Sequence, residues 1–237
     1  MPAPVLIIVN VSYEGPGMFS EMLEERSIGF DVVNLDGGDP FPAPADYQAM
    51  IVLGGPDSAN DQTEKMRNEL ARIREAMDAG IPYFGACLGL QTLVKAAGGT
   101  VVKNPVREVA FRDHEQKYFS VELTDNGKKD PLMKGLPDSI PMFHLHGEAV
   151  ELTPDMTLLA TGKWCRNQIV RIAPRMYGMQ GHLELTDAMF ADWCEKIPWM
   201  RACDRAALEK DWAERKEILE STLRTLFGNF LDIAGLS

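Results

Sequence analysis

The segment Ile81-Pro-Tyr-Phe-Gly85-Ala-Cys87-Leu-Gly89-Leu-Gln91 constrains this chain more than any other. A short apolar run that reads as a buried strand ends at G-x-C-x-G, and a helical pattern begins at once. A strand-to-helix turn this sharp forces its central residue into strained backbone angles. Side chains at the two flanking glycines would collide with neighbouring backbone. The turn lifts the Cys87 thiol out of the carboxyl edge of a sheet, where open α/β sheets bind ligands. A helix N-terminus aimed at the sulfur, together with a nearby base, can draw such a thiol into ionisation near neutral pH. An ordinary buried cysteine between two packing glycines is the plainer alternative.

The pattern around this segment supports a sheet. Val5–Val9, 30–35, 49–53 and 81–84 are short apolar runs, and amphipathic stretches separate them. Met18, Phe19, Met22 and Leu23 recur at helical spacing, with Gly29 expected to close that helix. Met66, Leu70, Ile73 and Met77 form a second stripe, with Asp61 and Glu64 as a candidate capping box and Gly80 as its stop. Strand–helix alternation with short connections predicts an open, mostly parallel sheet flanked by helices. Between 101 and 181 alternating runs and turn residues predict further strands and few helices. Past Thr186 the chain reads as helical again: Phe190, Trp193, Cys194 and Ile197, then Leu208 to Phe230. The expected organisation is residues 1–186 as one α/β domain, with 187–237 a helical C-terminal extension packed on it.

A nucleophile needs a base, and the base needs an orienting partner. Of His114, His144, His146 and His182, the last has a carboxylate two residues on, at Glu184. In extended backbone the two side chains project to the same side, so Glu184 could hold one ring nitrogen while the other faces the thiol. His144 and His146 also share a side, with Glu148 placed to pair with His146. No Cys/His set has the spacing of a structural zinc site, and an H-x-H pair alone is a weak signal, so no metal is expected.

These segments together resemble the class I glutamine amidotransferases of the Cys-His-Glu type, and among them the glutaminase portion of GMP synthase and its stand-alone relatives. Gly54-Gly55-Pro56-Asp57-Ser58 is similar to the family's oxyanion loop, and Gly85–Gln91 to its nucleophile elbow. Phe143-His-Leu-His-Gly147 is similar to its H-G-D segment, and Tyr177-Gly-Met-Gln180-Gly-His182-Leu-Glu184 to Y-G-x-Q-F-H-P-E. The resemblance implies a flavodoxin-like fold, with Cys87 as nucleophile, His182 as base and acid, and Glu184 as orienter. It implies an oxyanion hole from the backbone N–H groups of Gly55 and Leu88, and contacts to glutamine from Gly54 and Gln91. Gly181 and Leu183 depart from the signature's Phe and Pro, and Glu148 from the Asp of H-G-D. Glu108-Val-Ala110-Phe stands where relatives often carry Glu-x-Gly near the glutamine.

The implied activity is hydrolysis of the glutamine side-chain amide through a γ-glutamyl thioester, without a cofactor. Ammonia would pass to a separate synthetase partner, since no synthetase sequence follows Glu184. A hydrolase of γ-glutamyl peptides or conjugates would use the same residues, and a non-catalytic binding module would keep only the fold. The long C-terminal stripe could pack on its own domain or form a homodimer or partner interface. With 24 Lys+Arg against 35 Asp+Glu the net charge is −11, which disfavours nucleic acid and anionic membranes. The N-terminal apolar run is too short for a membrane span and lacks a basic leader. Four cysteines in 237 residues form no disulfide framework. A cytoplasmic location is therefore expected.

Overall fold

A computed structural model of the protein describes residues 3–236; the expected domain ends at residues 1, 2 and 237 lie outside these. The chain runs β1 (Val5–Val9), α1 (Met18–Glu25), β2 (Phe30–Asn34), β3 (Ala49–Val52), α2 (Glu64–Asp78), β4 (Tyr83–Ala86) and α3 (Leu88–Ala96). Strands β5 (Thr100–Ala110), β6 (Ser120–Leu123), β7 (Ser139–Pro141), β8 (His144–Glu151), β9 (Thr157–Gly162), β10 (Ile169–Ala173) and β11 (Met176–Met179) follow. Helices α4 (Asp187–Lys196), α5 (Pro198–Arg201) and α6 (Arg205–Ala234) complete it.

Nine strands form one open sheet in the order β2-β1-β3-β4-β11-β10-β9-β6-β7, and β5 and β8 make a separate antiparallel ribbon. From β2 to β11 every pairing is parallel, which the strand–helix alternation predicts. Beyond β11 the pairings are antiparallel. Consecutive residues of β1 face opposite sides. Val5, Ile7 and Val9 meet α1 and α6 through Phe19, Phe227 and Phe230. Leu6 and Ile8 meet α2 and α3 through Met66, Ile73, Leu90 and Leu93. The first of these clusters also contains Phe190, Trp193 and Ile197, so residues past 186 share a core with the sheet rather than forming one of their own.

Local signals differ from expectation at several ends. Helix α1 stops at Arg26 with Ser27 at φ 57°, and Gly29 instead accepts the Val5 N–H through its carbonyl. Thr63, not Asp61, caps α2, its hydroxyl accepting the Met66 N–H at 3.2 Å. Asp61 turns back to accept the Ser58 N–H at 3.0 Å. Gly80, at φ 65°, ends α2 as predicted. Strand β2 lies at the sheet edge with Val32 44% exposed, which its apolar pattern does not reveal. Pro198 both ends α4 and starts α5, its fixed φ and missing N–H suiting a first helical position. Among the described residues no helix is long and apolar enough to cross a membrane.

Helix α2 buries a carboxylate under the sheet. Glu69 is fully buried; Asn10 Nδ2 donates to its Oε1 at 3.4 Å, and Oε2 has no partner among the described residues. Burial is the largest influence and raises its pKa to about 7, against the opposing effects of Asn10 and Lys65. A carboxyl raised on folding stabilises most where it is protonated in both states. That contribution falls away as pH rises from the unfolded value toward 7. Glu69→Gln should therefore raise Tm at pH 8 by about 4–8 °C, on the order of 2 kcal/mol, and change it little at pH 4.5. Thermal unfolding at the two pH values checks this, and a gap independent of pH would contradict it.

Candidate active site

Three neighbouring parallel strands end at one edge of the sheet and carry the segments singled out in the sequence. In register, Val52 of β3 lies beside Gly85 of β4, and Ala86 of β4 beside Met179 of β11. Gly54 and Gly55 follow β3, Cys87 follows β4, and Gln180, His182 and Glu184 follow β11. The Cys87 N–H donates to the Met179 carbonyl at 2.8 Å, tying the elbow to the strand that leads to His182.

The elbow has the strain its sequence implies. Cys87 adopts φ 52°, ψ −105°, a conformation that L-residues avoid. A Cβ on Gly85 would lie 2.4 Å from the Gly89 backbone, and one on Gly89 would lie 2.1 Å from the Val52 carbonyl oxygen. Helix α3 thus rests directly on sheet backbone. The buried Tyr83 hydroxyl donates to the Gly89 carbonyl at 2.8 Å and holds it there.

Cys87 and His182 meet over Gly54. A Cβ there would lie 3.0 Å from Cε1 of the His182 ring and 3.5 Å from Cβ of Cys87. His182 Nδ1 and Glu184 Oε1 are 2.7 Å apart, and Glu184 Oε2 accepts the Leu183 N–H at 3.0 Å. Burial lowers the pKa of His182 and is its largest single influence. The charge of Glu184 and its hydrogen bond, together with the nearby Cys87 sulfur, outweigh it and hold the ring well above its ordinary value. Nε2 of the ring has no hydrogen-bond partner among the described residues. The Trp193 ring of α4 stands edge-on to the imidazole at 5.0 Å, and its indole N–H donates to the Tyr13 carbonyl at 3.0 Å. The C-terminal helices therefore hold the imidazole from behind.

Among the described residues neither the Gly55 nor the Leu88 N–H has a hydrogen-bond partner. Leu88 opens α3, where first-turn N–H groups are always left over. Gln91 is buried rather than on the helix surface; its Nε2 donates to Gln180 Oε1 at 3.2 Å, and Gln180 Nε2 to the Cys87 sulfur at 3.7 Å. A cleft of about 470 Å³ opens over these groups, lined by Cys87, Gly55 and Gln91 together with Leu145, Ile197 and Trp199.

The tertiary structure adds residues that spacing does not indicate. Glu14, from the loop after β1, lines the cleft, and its Oε2 would lie 2.5 Å from a Cβ on Gly54. Burial raises its pKa to about 7; the nearby His182 charge opposes this and the Glu184 charge adds to it. Glu148 does not pair through its carboxylate with His146. That carboxylate accepts from the Ser58 hydroxyl at 2.8 Å and joins the Gly54–Ser58 loop to β8. His146 instead faces Glu108, 3.0 Å away, and His144 lies beside it, its pKa held well below the ordinary value by burial. Glu108, His144 and His146 are the one set among the described residues close enough to share a metal ion, although no metal is expected from their spacing. Ala110 takes φ 64°, the left-handed conformation for which a glycine is suited. The His114 ring lies 4.2 Å from that of Trp164, tilted by 51°, and is not among the residues lining the cleft.

The glutamine amidotransferase class-I family model matches residues 18–191. One of the chains that make up the glutamine-hydrolyzing GMP synthase of Methanoregula boonei is 30% identical over 188 residues, 77% of this chain and 89% of that one. The glutamine amidotransferase-like protein YfeJ of Salmonella typhimurium is 29% identical over 77% of this chain and 76% of its own length. A crystal structure of a glutamine amidotransferase from Methylobacillus flagellatus superposes with a TM-score of 0.87 at 27% identity, covering 98% of this chain and 96% of that one. With the fold, the ordered motifs and these likenesses in agreement, the chain belongs to the class I glutamine amidotransferase family.

Proposed function

We propose that the protein hydrolyses the side-chain amide of L-glutamine, with Cys87 as nucleophile, His182 as acid and base, and Glu184 as orienter. The observation that carries this is that the Cys87 and His182 side chains both pack against Gly54, with Nδ1 of that ring held by Glu184 and Nε2 free of any partner among the described residues. The Cys87 thiolate attacks the amide carbon, and the oxyanion is received by the unpaired N–H groups of Gly55 and Leu88. The His182 imidazolium gives its proton to the departing nitrogen, the C–N bond breaks, and ammonia leaves. A γ-glutamyl thioester remains on Cys87. Neutral His182 then takes a proton from water as the water attacks the thioester, and glutamate leaves with the thiolate restored. Gln91 lines the cleft where the glutamine would lie, and Gly54 packs against the Cys87 and His182 side chains.

The ammonia would pass to a synthetase on a separate chain, consistent with the GMP synthase component among the relatives. A second reading, hydrolysis of a larger γ-glutamyl compound, draws support from the cleft, which extends past Cys87 to Ile197 and Trp199 and holds more than glutamine alone.

Release of ammonia and glutamate from glutamine, alongside γ-glutamyl peptides, tests both readings. Cys87→Ala should lower turnover by about 10⁴-fold or more. If the isolated chain is slow for want of a partner, an electrophilic glutamine analogue should still label Cys87. Activity surviving in Cys87→Ala, or an unlabelled thiol, would overturn the assignment.

Glu14 allows a separate check. Above pH 7 its carboxylate favours the charged form of His182. Glu14→Gln removes that charge, so His182 should lose its proton at lower pH. The alkaline limb of the kcat/KM profile should then move down by about 0.5 pH or more. An unmoved limb would show that Glu14 is not coupled to the ring.

A further inference from the structure

The paired histidines of β8 have no part in the chemistry above, yet they are buried together with a carboxylate. His144 and His146 lie two apart on a strand and so share a face. In the β5–β8 ribbon Glu108 is the register partner of His146, and Ala110 of His144. The three side chains are only 1–2% exposed. One donor atom from each lies within 4.8 Å of the others, and Glu108 Oε2 is 3.0 Å from His146 Nε2.

The hydrogen bonds determine which atoms are free. His146 Nδ1 lies 3.0 Å from the Glu148 carbonyl oxygen, which can only accept, so Nδ1 carries a proton. Nε2 then faces the Glu108 carboxylate without a well-directed hydrogen bond, and Nδ1 of His144 is also unpartnered. Two buried imidazoles and one carboxyl group thus converge. Their outer partners are already in place. The Glu148 carbonyl orients His146, and Gln168 Nε2 donates to Glu108 Oε2 at 3.2 Å. Ligating histidines and carboxylates are characteristically held this way.

We infer that Glu108, His144 and His146 bind a divalent transition-metal ion of the zinc type, with water completing a tetrahedron. Two nitrogen donors and one oxygen suit zinc and disfavour magnesium or calcium, which take oxygen ligands. Donor atoms around a tetrahedral zinc stand about 3.3 Å apart. The Glu108–His146 separation is already close to this, and side-chain rotation would draw His144 in. The ion would cross-link β5 to β8 at His146, which with the following Gly147 and Glu148 lines the cleft. Its role would be to fix that lining, apart from the chemistry at Cys87.

The test uses the full chain without a histidine tag, stripped by chelator and carrying Cys87→Ser so that the thiol cannot compete for metal. Dialysis against zinc should leave one ion per chain by elemental analysis and raise Tm by about 5 °C or more. Cobalt(II) should give tetrahedral d–d bands without a thiolate charge-transfer band. Glu108→Gln and His144→Gln should each weaken binding by at least about tenfold. Should those variants fail to fold, anomalous diffraction at the zinc edge from the Cys87→Ser chain decides. A peak between the three residues supports the site. A peak elsewhere, or no bound zinc because the group is only a buried imidazolium–carboxylate pair, overturns it.

Discussion

The arrangement depends on how closely helix α3 rests on the sheet. Gly85 and Gly89 bring the helix backbone against β3 and β4 at distances no Cβ would tolerate, and Tyr83 secures the contact with a buried hydrogen bond. The positive φ of Cys87 follows from this seating, because the chain must reverse within one residue to enter a helix lying on its own strand. The left-over N–H of Leu88 has the same origin. A larger residue at either glycine would change the position of the sulfur along with the packing.

Around that elbow the fold places charge in a poorly solvated setting. Glu14, Glu184, Glu108 and three histidines are buried within a few residues of the cleft. Where a charge has a partner, as His182 has in Glu184, the charged form is favoured despite burial. Where partners are poor, as at Glu14 and Glu69, burial prevails and the carboxyl titrates near neutrality. The same low-dielectric surroundings therefore sharpen the imidazole at the site and make the carboxyls beneath it costly when ionised.

The helices beyond residue 186 belong to the same physical unit. Trp193 braces the His182 ring, Ile197 and Trp199 form part of the cleft, and Phe227 and Phe230 cover one face of the sheet. With α6 committed to this packing, its exposed charges face solvent in i,i+4 pairs such as Arg205–Glu209 and Arg224–Glu220.

The residues themselves determined the parallel strand–helix order, the strained elbow at Cys87 and the His182–Glu184 pair, because each rests on contacts a few positions apart: a 3.6 or 2-residue period, a glycine beside a turn, side chains two apart on extended chain. Helix ends were less legible, since Thr63 and Asp61 offer similar caps and only the packed approach angle selects between them. Tertiary structure alone decided that Glu14 faces the imidazole, that Gln91 is buried against Gln180, that Ser58 rather than His146 takes the Glu148 carboxylate, and that Glu108 meets the two histidines of β8. Those contacts join residues tens of positions apart, and strand register and layer packing, which no local periodicity encodes, bring them together.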